Sequence, residues 1–171
     1  HVEAWVAQEL SPLLVDNARH SPVFPFSGLH LCWWSLLLSC IGSFQWPDGR
    51  TYYGNFKNNK LEGRGVYRWP DGKRYEGELK DGLPNGSGAF FFTNGEKYVG
   101  DFRDGFDDGE GFYSWADGRK YAGEFRKGQL HGKGSYSWPD GALYTGEFQN
   151  GIKQGKGVYT FADGTRYIGE I

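Results

Sequence analysis

The sequence predicts an all-β protein: a single, elongated, curved antiparallel sheet, shaped as a trough and built from stacked 23-residue β-hairpin repeats. Three observations predict this non-globular, solenoid-like array. Glycine accounts for 28 of 171 residues and 18% of the residues are aromatic, a combination too rich in rings for a disordered linker. The chain is also self-similar at a strict period. Within each period, ring and glycine positions alternate with polar ones, which is the pattern of a strand.

The period is marked by one tyrosine in every unit, with a glycine two positions later. These tyrosines are Tyr52, Tyr75, Tyr98, Tyr121, Tyr144 and Tyr167, each 23 residues from the next. The predicted array covers 42–171. It has a half repeat at 42–51, units that begin at 52, 75, 98, 121 and 144, and a partial unit at 167. We expect the array to continue in a longer parent protein.

Each unit begins with a strand such as KRYEGEL at 73–79, where Tyr75, Gly77 and Leu79 share one face. The segment that follows it, KDGLPNG at 80–86, is expected to be a longer link. Its Gly82 is replaced in another unit by Asn59, and asparagine is the non-glycine residue that best tolerates positive φ.

The second strand, GAFFFT at 88–93, places Gly88, Phe90 and Phe92 on one face by the same count. The Trp-Pro-Asp-Gly link at 69–72 predicts a tight turn. Proline sets φ near −65° at the first central position, and glycine accepts the left-handed backbone that follows aspartate.

Rings and glycines therefore share one face of the predicted sheet. A ring that lies over a neighbouring strand's glycine recovers packing that the glycine forfeits, and the missing side chains let the sheet bend. We expect rings inside the trough and charges outside it. With strands about 4.8 Å apart, each repeat advances about 10 Å.

Residues 1–41 do not fit the repeat and form an apolar extension of uncertain structure. The stretch LHLCWWSLLLSCI at 29–41 is shorter than the roughly 20 residues that cross a bilayer as a helix. Glu3, Glu9 and Asp16 precede it, where a signal peptide needs positive charge. Three interpretations stay open: a buried cap or extension, sequence foreign to the fold, and a membrane or targeting segment.

The residue types that catalysis and metal binding need are scattered along the chain. The formal net charge of −2 gives no field that attracts nucleic acid, and two cysteines cannot form a disulfide framework or a zinc ribbon. The four histidines do not cluster, and no nucleophile elbow or phosphate-binding loop is present. We therefore expect a protein that is not an enzyme, with no catalytic residue, cofactor, metal or nucleic-acid partner.

The repeats resemble the MORN family, the membrane occupation and recognition nexus repeats. The resemblance rests on Tyr-x-Gly-Glu-Phe, spaced glycines, and an aromatic residue before Asp-Gly, as in YAGEFRKGQLHGKGSYSWPDG at 121–141. It implies a stack of β-hairpins that serves as a non-catalytic scaffold or targeting module. In such proteins the arrays accompany ciliary and cytoskeletal assemblies, membrane-junction proteins, guanine-nucleotide exchange factors and phosphoinositide kinases.

The leading functional hypothesis is a scaffold that binds a protein partner, a helix or a peptide, through the aromatic trough. Rigid aromatic side chains are favoured anchors for such partners. Their alternative role is to pack only on one another. The candidate groove residues are Trp69, Tyr75, Phe92, Tyr98, Trp115, Tyr121, Trp138 and Tyr144.

The alternative hypothesis is a membrane-targeting module of a larger signalling protein, such as a phosphatidylinositol phosphate kinase, with anionic lipid as its partner. The candidate headgroup residues are Lys80, Arg103 and Arg126. Residues 42–171 hold 18 acidic and 18 basic residues, so we expect basic columns to be neutralised by acidic ones beside them. Either function implies a cytoplasmic protein on cytoskeletal or membrane assemblies. Self-association through the open sheet edge at Tyr167 also stays open.

Overall fold

The computed structural model describes residues 39–171, and these form one antiparallel sheet of twelve strands in chain order. The strands are β1 (Ser39–Gln45), β2 (Thr51–Lys57), β3 (Lys60–Arg68), β4 (Arg74–Lys80), β5 (Leu83–Phe91), β6 (Lys97–Arg103), β7 (Phe106–Ser114), β8 (Lys120–Arg126), β9 (Gln129–Ser137), β10 (Leu143–Gln149), β11 (Ile152–Thr160) and β12 (Arg166–Glu170). The predicted all-β array of hairpin repeats is confirmed. The predicted extension at 1–41 lies outside the described residues as far as residue 38, and β1 begins at Ser39.

The link predicted as a longer loop at 80–86 is instead a two-residue turn. Asp81 and Gly82 have φ of 50° and 84°, the left-handed values that a type I′ turn requires at both positions. The twist of this turn matches that of the flanking strands, so β5 begins at once at Leu83. The equivalent turns are Asn58-Asn59, Asp104-Gly105, Lys127-Gly128 and Asn150-Gly151.

The Trp-Pro-Asp-Gly link forms the tight turn that the sequence predicts. The Gly72 N–H donates to the Trp69 carbonyl at 3.0 Å, and Gly72 has φ of 95°. The Asp71 carboxylate accepts the Lys73 N–H at 3.0 Å, which holds the turn closed. One turn of each kind joins the strands of every repeat.

A tyrosine, two glycines and a β-bulge form the smallest structural unit. The register of β4 against β5 shifts between Gly77 and Leu79, where Glu78 faces the three residues 85–87 of a bulge in β5. The Tyr75 hydroxyl donates to the Glu78 carbonyl at 2.7 Å, so this backbone acceptor is satisfied. The Tyr75 ring lies against Gly77 and Gly88, where any Cβ would overlap it. The same bond recurs from Tyr98 to Asp101 and from Tyr121 to Glu124.

The core lies on one face of this single sheet. Tyr75, Tyr98 and Tyr121 are 0% exposed, although no second layer of the described residues covers them. A one-layer sheet buries rings so completely only by curving around them, so this face is the inside of the trough. The opposite surface is called the outer face below.

Candidate functional site

Two ladders of aromatic rings run along the inside of the trough. The floor ladder combines the repeat tyrosines with the phenylalanine four residues later. In it Phe102 packs edge-on against both Tyr75 and Tyr98, with ring centroids 5.2 and 5.0 Å apart and planes at 87°. Its members are Tyr52, Phe56, Tyr75, Tyr98, Phe102, Tyr121, Phe125, Tyr144 and Phe148. Edge-to-face packing of this kind stabilises beyond the buried area alone.

The rim ladder consists of the aromatic pairs that close each repeat. Its members are Trp46, Tyr67, Trp69, Phe90, Phe92, Tyr113, Trp115, Tyr136, Trp138, Tyr159 and Phe161. Successive rings are tilted, and their centroids lie between 4.3 and 6.1 Å apart. Phe92, Trp115 and Trp138 are only partly buried. The rim ladder therefore presents aromatic surface, and the floor ladder beneath it does not.

The candidate groove residues fall into two groups. The four tyrosines, Tyr75, Tyr98, Tyr121 and Tyr144, are 0% exposed and form the floor, so they support the trough without offering surface. Trp69 is also buried. Phe92, Trp115 and Trp138 are the candidates that a partner reaches without displacing the sheet.

Burial keeps the floor hydroxyls neutral. It raises the pKa of Tyr52 to about 12, and it raises the pKa of Tyr75 and Tyr98 further. Each hydroxyl therefore remains a hydrogen-bond donor to its bulge carbonyl at all physiological pH values.

One column of the trough contains two charged residues that the sequence interpretation did not single out. It is formed by the second residue of each nine-residue strand: Leu61, Pro84, Asp107, Leu130 and Lys153. The sequence contains the signal, since three of the five repeats depart from leucine at this position and two of those three carry a charged residue. It went unused because this position had been assigned to a loop.

Asp107 is buried inside the trough opposite Phe102 in the register of β6 and β7. It is 3% exposed, and its Oδ1 accepts no hydrogen bond. Burial raises the pKa of its carboxyl group to about 7. The same burial, with the Asp107 charge adding to it, raises the pKa of Tyr98 and Tyr113. Asp107 is thus a carboxyl group without the partners that burial ordinarily demands.

Lys153 occupies the same column two repeats further on, within a cage of rings. Its Nζ lies 4.1 Å from the centroid of Trp138, and Tyr136, Tyr144 and Tyr159 surround it at 5.4 to 5.6 Å. Cation–π attraction stabilises this arrangement. Burial lowers the pKa of Lys153, and no carboxylate of the described residues forms an ion pair with it.

The three candidate lipid-headgroup residues lie at the ends of short strands, beside the two-residue turns. Lys80, Arg103 and Arg126 are all exposed. Arg103 contacts Asp108 at 3.4 Å, a pair that is weak at an exposed position. They form a row along one rim of the sheet.

A second basic row crosses the outer face, formed by the basic residue that precedes the tyrosine in most repeats and by its partners in register. The strand register aligns Arg68 with Arg74, Phe91 with Lys97, and Ser114 with Lys120. Arg74 and Lys97 both lie over the Phe91 ring, at 4.3 and 5.2 Å from its centroid. The row crosses the paired strands from Thr51 on β2 to Arg166 on β12. None of the residues that the register places in it is acidic.

The predicted neutralisation of basic columns by acidic ones occurs in only part of the outer face. Arg64 contacts Glu78 at 3.6 Å. The basic row is four residues, or about 13 Å, from the row of Glu78 along each strand, too far for direct pairs. Other members of the acidic row bind backbone instead, as Glu124 accepts the Lys133 N–H at 2.9 Å. Only the strand register could reveal this separation.

Residues 39–171 contain no group of three or more histidine, cysteine or acidic side chains arranged to hold a metal ion. The same part of the chain has no helix with the length and apolarity that crossing a membrane requires.

Fold and trough together define an elongated β-hairpin repeat protein with an aromatic inner face. A family model described as the MORN repeat matches the chain five times, at residues 52–74, 75–97, 98–118, 121–143 and 144–166. These matches span most of the chain, so the protein belongs to the MORN repeat family, as the sequence resemblance predicts.

Solved structures with a related sheet are distant. The SAS-4 (dCPAP) TCP domain of Drosophila melanogaster, in complex with a proline-rich motif of Ana2 (dSTIL), is 12% identical, with a TM-score of 0.42 over 75% of this chain and 83% of that one. A mutant TCP10 domain of CPAP from Danio rerio is 17% identical, with a TM-score of 0.31 over 77% of this chain and 70% of that one. No curated protein sequence matches the chain.

Proposed function

We propose that the array is a non-catalytic scaffold that binds a protein partner, a helix or an extended peptide, along the trough. The observation that supports this function is the row of partly exposed rim rings, among them Phe92, Trp115 and Trp138, beside a floor that is buried except at Phe56. The floor fixes the rim rings in place, so binding them costs little side-chain ordering. Large, rigid and partly desolvated rings are the residue types that dominate binding energies at protein interfaces.

Replacing the exposed rim rings tests this function. We expect Trp115→Ala with Trp138→Ala to abolish capture of specific partners by the full chain from cell lysate, because both anchors are lost. The matched control is Phe112→Ala, since Phe112 is a 39% exposed ring on the outer face. Circular dichroism and thermal melts establish that each variant is folded. Undiminished capture by the double variant, with the same proteins retained, would contradict binding along the trough.

A second candidate function is membrane targeting, and the outer-face basic row favours it. The row of Arg68, Arg74, Lys97 and Lys120 has no acidic residue in register. Within it Arg74 contacts Glu76 at 3.1 Å, so Arg68, Lys97 and Lys120 are the members that supply the uncompensated charge that anionic lipid headgroups require. In this alternative the array would hold a larger signalling protein at a cytoplasmic membrane surface. As a scaffold, it would sit in the cytoplasm on a cytoskeletal assembly.

Co-sedimentation with phosphoinositide-containing vesicles, at low and at physiological salt, tests the membrane alternative. If the basic row binds lipid, Lys97→Glu with Lys120→Glu removes sedimentation. If the row of Lys80, Arg103 and Arg126 binds lipid, Arg103→Glu with Arg126→Glu removes sedimentation instead. Absence of sedimentation by the unaltered chain at either salt concentration would exclude this function. Imaging the tagged protein in cells then distinguishes a cytoskeletal from a membrane location.

A further inference from the structure

The trough contains two ionisable groups of opposite charge at different places along its length, and they bear on which partner fits it. Its apolar column holds one unpaired carboxyl group, Asp107 on β7, and one caged ammonium group, Lys153 on β11. Leu130 lies between them. Both groups lie inside the trough, Asp107 buried and Lys153 partly buried, so water screens them less than at the outer surface and each discriminates between opposite charges on a ligand.

The rings of the rim ladder are most widely spaced between Phe92 and Tyr113, in the part of the array that contains Asp107. Across the other repeat boundaries, the centroids of the adjoining rings are 5.2 to 5.4 Å apart. Between Phe92 and Tyr113 the separation is 6.1 Å. Phe92 stands where Trp46, Trp69, Trp115 and Trp138 stand in other repeats, and Phe161 is the one other phenylalanine at this position, so a smaller ring lies at this boundary.

The 23-residue register relates this gap to the lysine cage. Phe92 and Tyr113 hold the positions relative to Asp107 that Trp138 and Tyr159 hold relative to Lys153. In the later repeat, the ammonium group sits among those rings. In the earlier repeat, Asp107 takes the place of that lysine, so an ammonium or guanidinium group of a partner that entered between Phe92 and Tyr113 would meet two rings and a carboxyl group.

Resting on the proposed scaffold function, we propose that the trough's partner is an amphipathic helix with one basic and one acidic side chain. The basic side chain enters the gap between Phe92 and Tyr113 and pairs with Asp107. The acidic side chain pairs with Lys153. Apolar side chains between them cover Leu130 and Trp115.

The distance between the two charges fixes their spacing in the partner. Four strand separations lie between β7 and β11, which is about 19 Å. Two residues fourteen apart in an α-helix lie on nearly the same face and about 21 Å apart. Two residues seven apart lie on the same face at about half that distance.

Synthetic fluorescein-labelled amphipathic helices provide the test, with fluorescence anisotropy at physiological salt as the readout. All share one leucine stripe. One carries lysine and glutamate fourteen residues apart, a second carries lysine at both positions, a third carries glutamate at both, and a fourth has lysine and glutamate seven residues apart. We expect the first to bind the full chain at least about tenfold more tightly than each of the others.

Two variants assign the charges. Asp107→Leu and Lys153→Leu restore the leucine found at residues 61 and 130, so both are expected to fold, which thermal melts establish. With Asp107→Leu, the helix with two glutamates should no longer bind more weakly than the helix with lysine and glutamate. With Lys153→Leu, the helix with two lysines should no longer bind more weakly than that helix. Equal affinity of all four helices overturns the proposed charge pairing, while the proposed binding of a helix along the trough stands. Failure of every helix to bind overturns both this inference and helix binding by the trough.

Discussion

A tyrosine folded over two glycines is the device on which every repeat depends. Tyr121 lies against Gly123 and Gly134 and donates its hydroxyl hydrogen bond to the Glu124 carbonyl at 3.0 Å. The ring and the glycines depend on each other, because the glycines leave a space and the ring fills it. The glycine content of the chain is therefore a packing requirement as much as a turn requirement.

Gly134→Ala should destabilise the array because the added Cβ would overlap the Tyr121 hydroxyl and ring. We expect the free energy of unfolding to fall by about 1–3 kcal/mol, measured by urea denaturation. Gly42→Ala is the matched control, since a Cβ there meets only Phe56, at an ordinary 3.5 Å. Equal effects of the two substitutions would contradict the ring-over-glycine account.

Asp107 should make stability decrease as pH rises. Its folded-state pKa of about 7 lies above its value of about 4 in an unfolded chain. Between these values the folded chain binds more protons than the unfolded chain, so the free energy of unfolding falls with pH and levels off above about 7. The expected loss is a few kcal/mol. Urea denaturation from about pH 5 to about pH 8 measures it, and Asp107→Leu should remove the slope.

At the scale of the element, the two-residue turns set the register of every hairpin. Four of their five first positions hold asparagine or aspartate, and the fifth holds Lys127 with φ of 49°. A lysine adopts left-handed backbone at a cost that asparagine largely avoids. This turn is therefore the least favourable of the five by sequence.

Lys127→Asn should stabilise the β8–β9 hairpin. We expect a gain of about 0.4–1 kcal/mol, seen as a higher midpoint of thermal unfolding. The same exchange at Lys133, an exposed position within β9, should give no gain, because asparagine is unfavourable in strands. A lower midpoint for Lys127→Asn would contradict the assigned turn type.

Sequence patterns predicted the elements well where local chemistry decides them. The Tyr75, Gly77 and Leu79 face and the Trp-Pro-Asp-Gly turn follow from alternation and proline geometry, and both are confirmed. The segment 80–86 was wrongly predicted as a longer link, because two residues with positive φ suffice for the turn. The placement of Asp107 was missed for the same reason, since its position then counted as loop.

The repeat period predicts the charge columns of the outer face, but the residues that lie beside each charge could not be predicted, because they are set by strand register. Arg74 and Lys97 are far apart in sequence and come together on either side of Phe91 once β4, β5 and β6 pair. The partly buried rim ladder was predicted as a groove. Its division into a buried tyrosine floor and an exposed tryptophan rim depends on how far the sheet curves, which alternation alone does not encode.

The whole molecule behaves as a one-dimensional array, because each strand contacts its sequence neighbours. Deleting residues 98–120 removes one complete unit and joins Lys97 to Tyr121 in phase. We expect a folded chain shortened by about 10 Å, measured as the maximum dimension in small-angle X-ray scattering. Deleting residues 98–108 alone removes nearly all of β6 and the first three residues of β7, so the remainder of β7 and the strands after it run in the reverse direction. That variant should lose the cooperative unfolding transition, and a cooperative transition in it would contradict strict repeat pairing.

The chain-order arrangement of the twelve strands has a consequence for how the protein is made. Since β1 to β12 pair without any crossover, each hairpin needs only residues that have already left the ribosome. Sequence separation between contacting strands stays short, which favours rapid folding. Synthesis can therefore proceed by successive docking of finished hairpins onto the growing end, so that the nascent chain exposes little more than one unpaired edge at any moment.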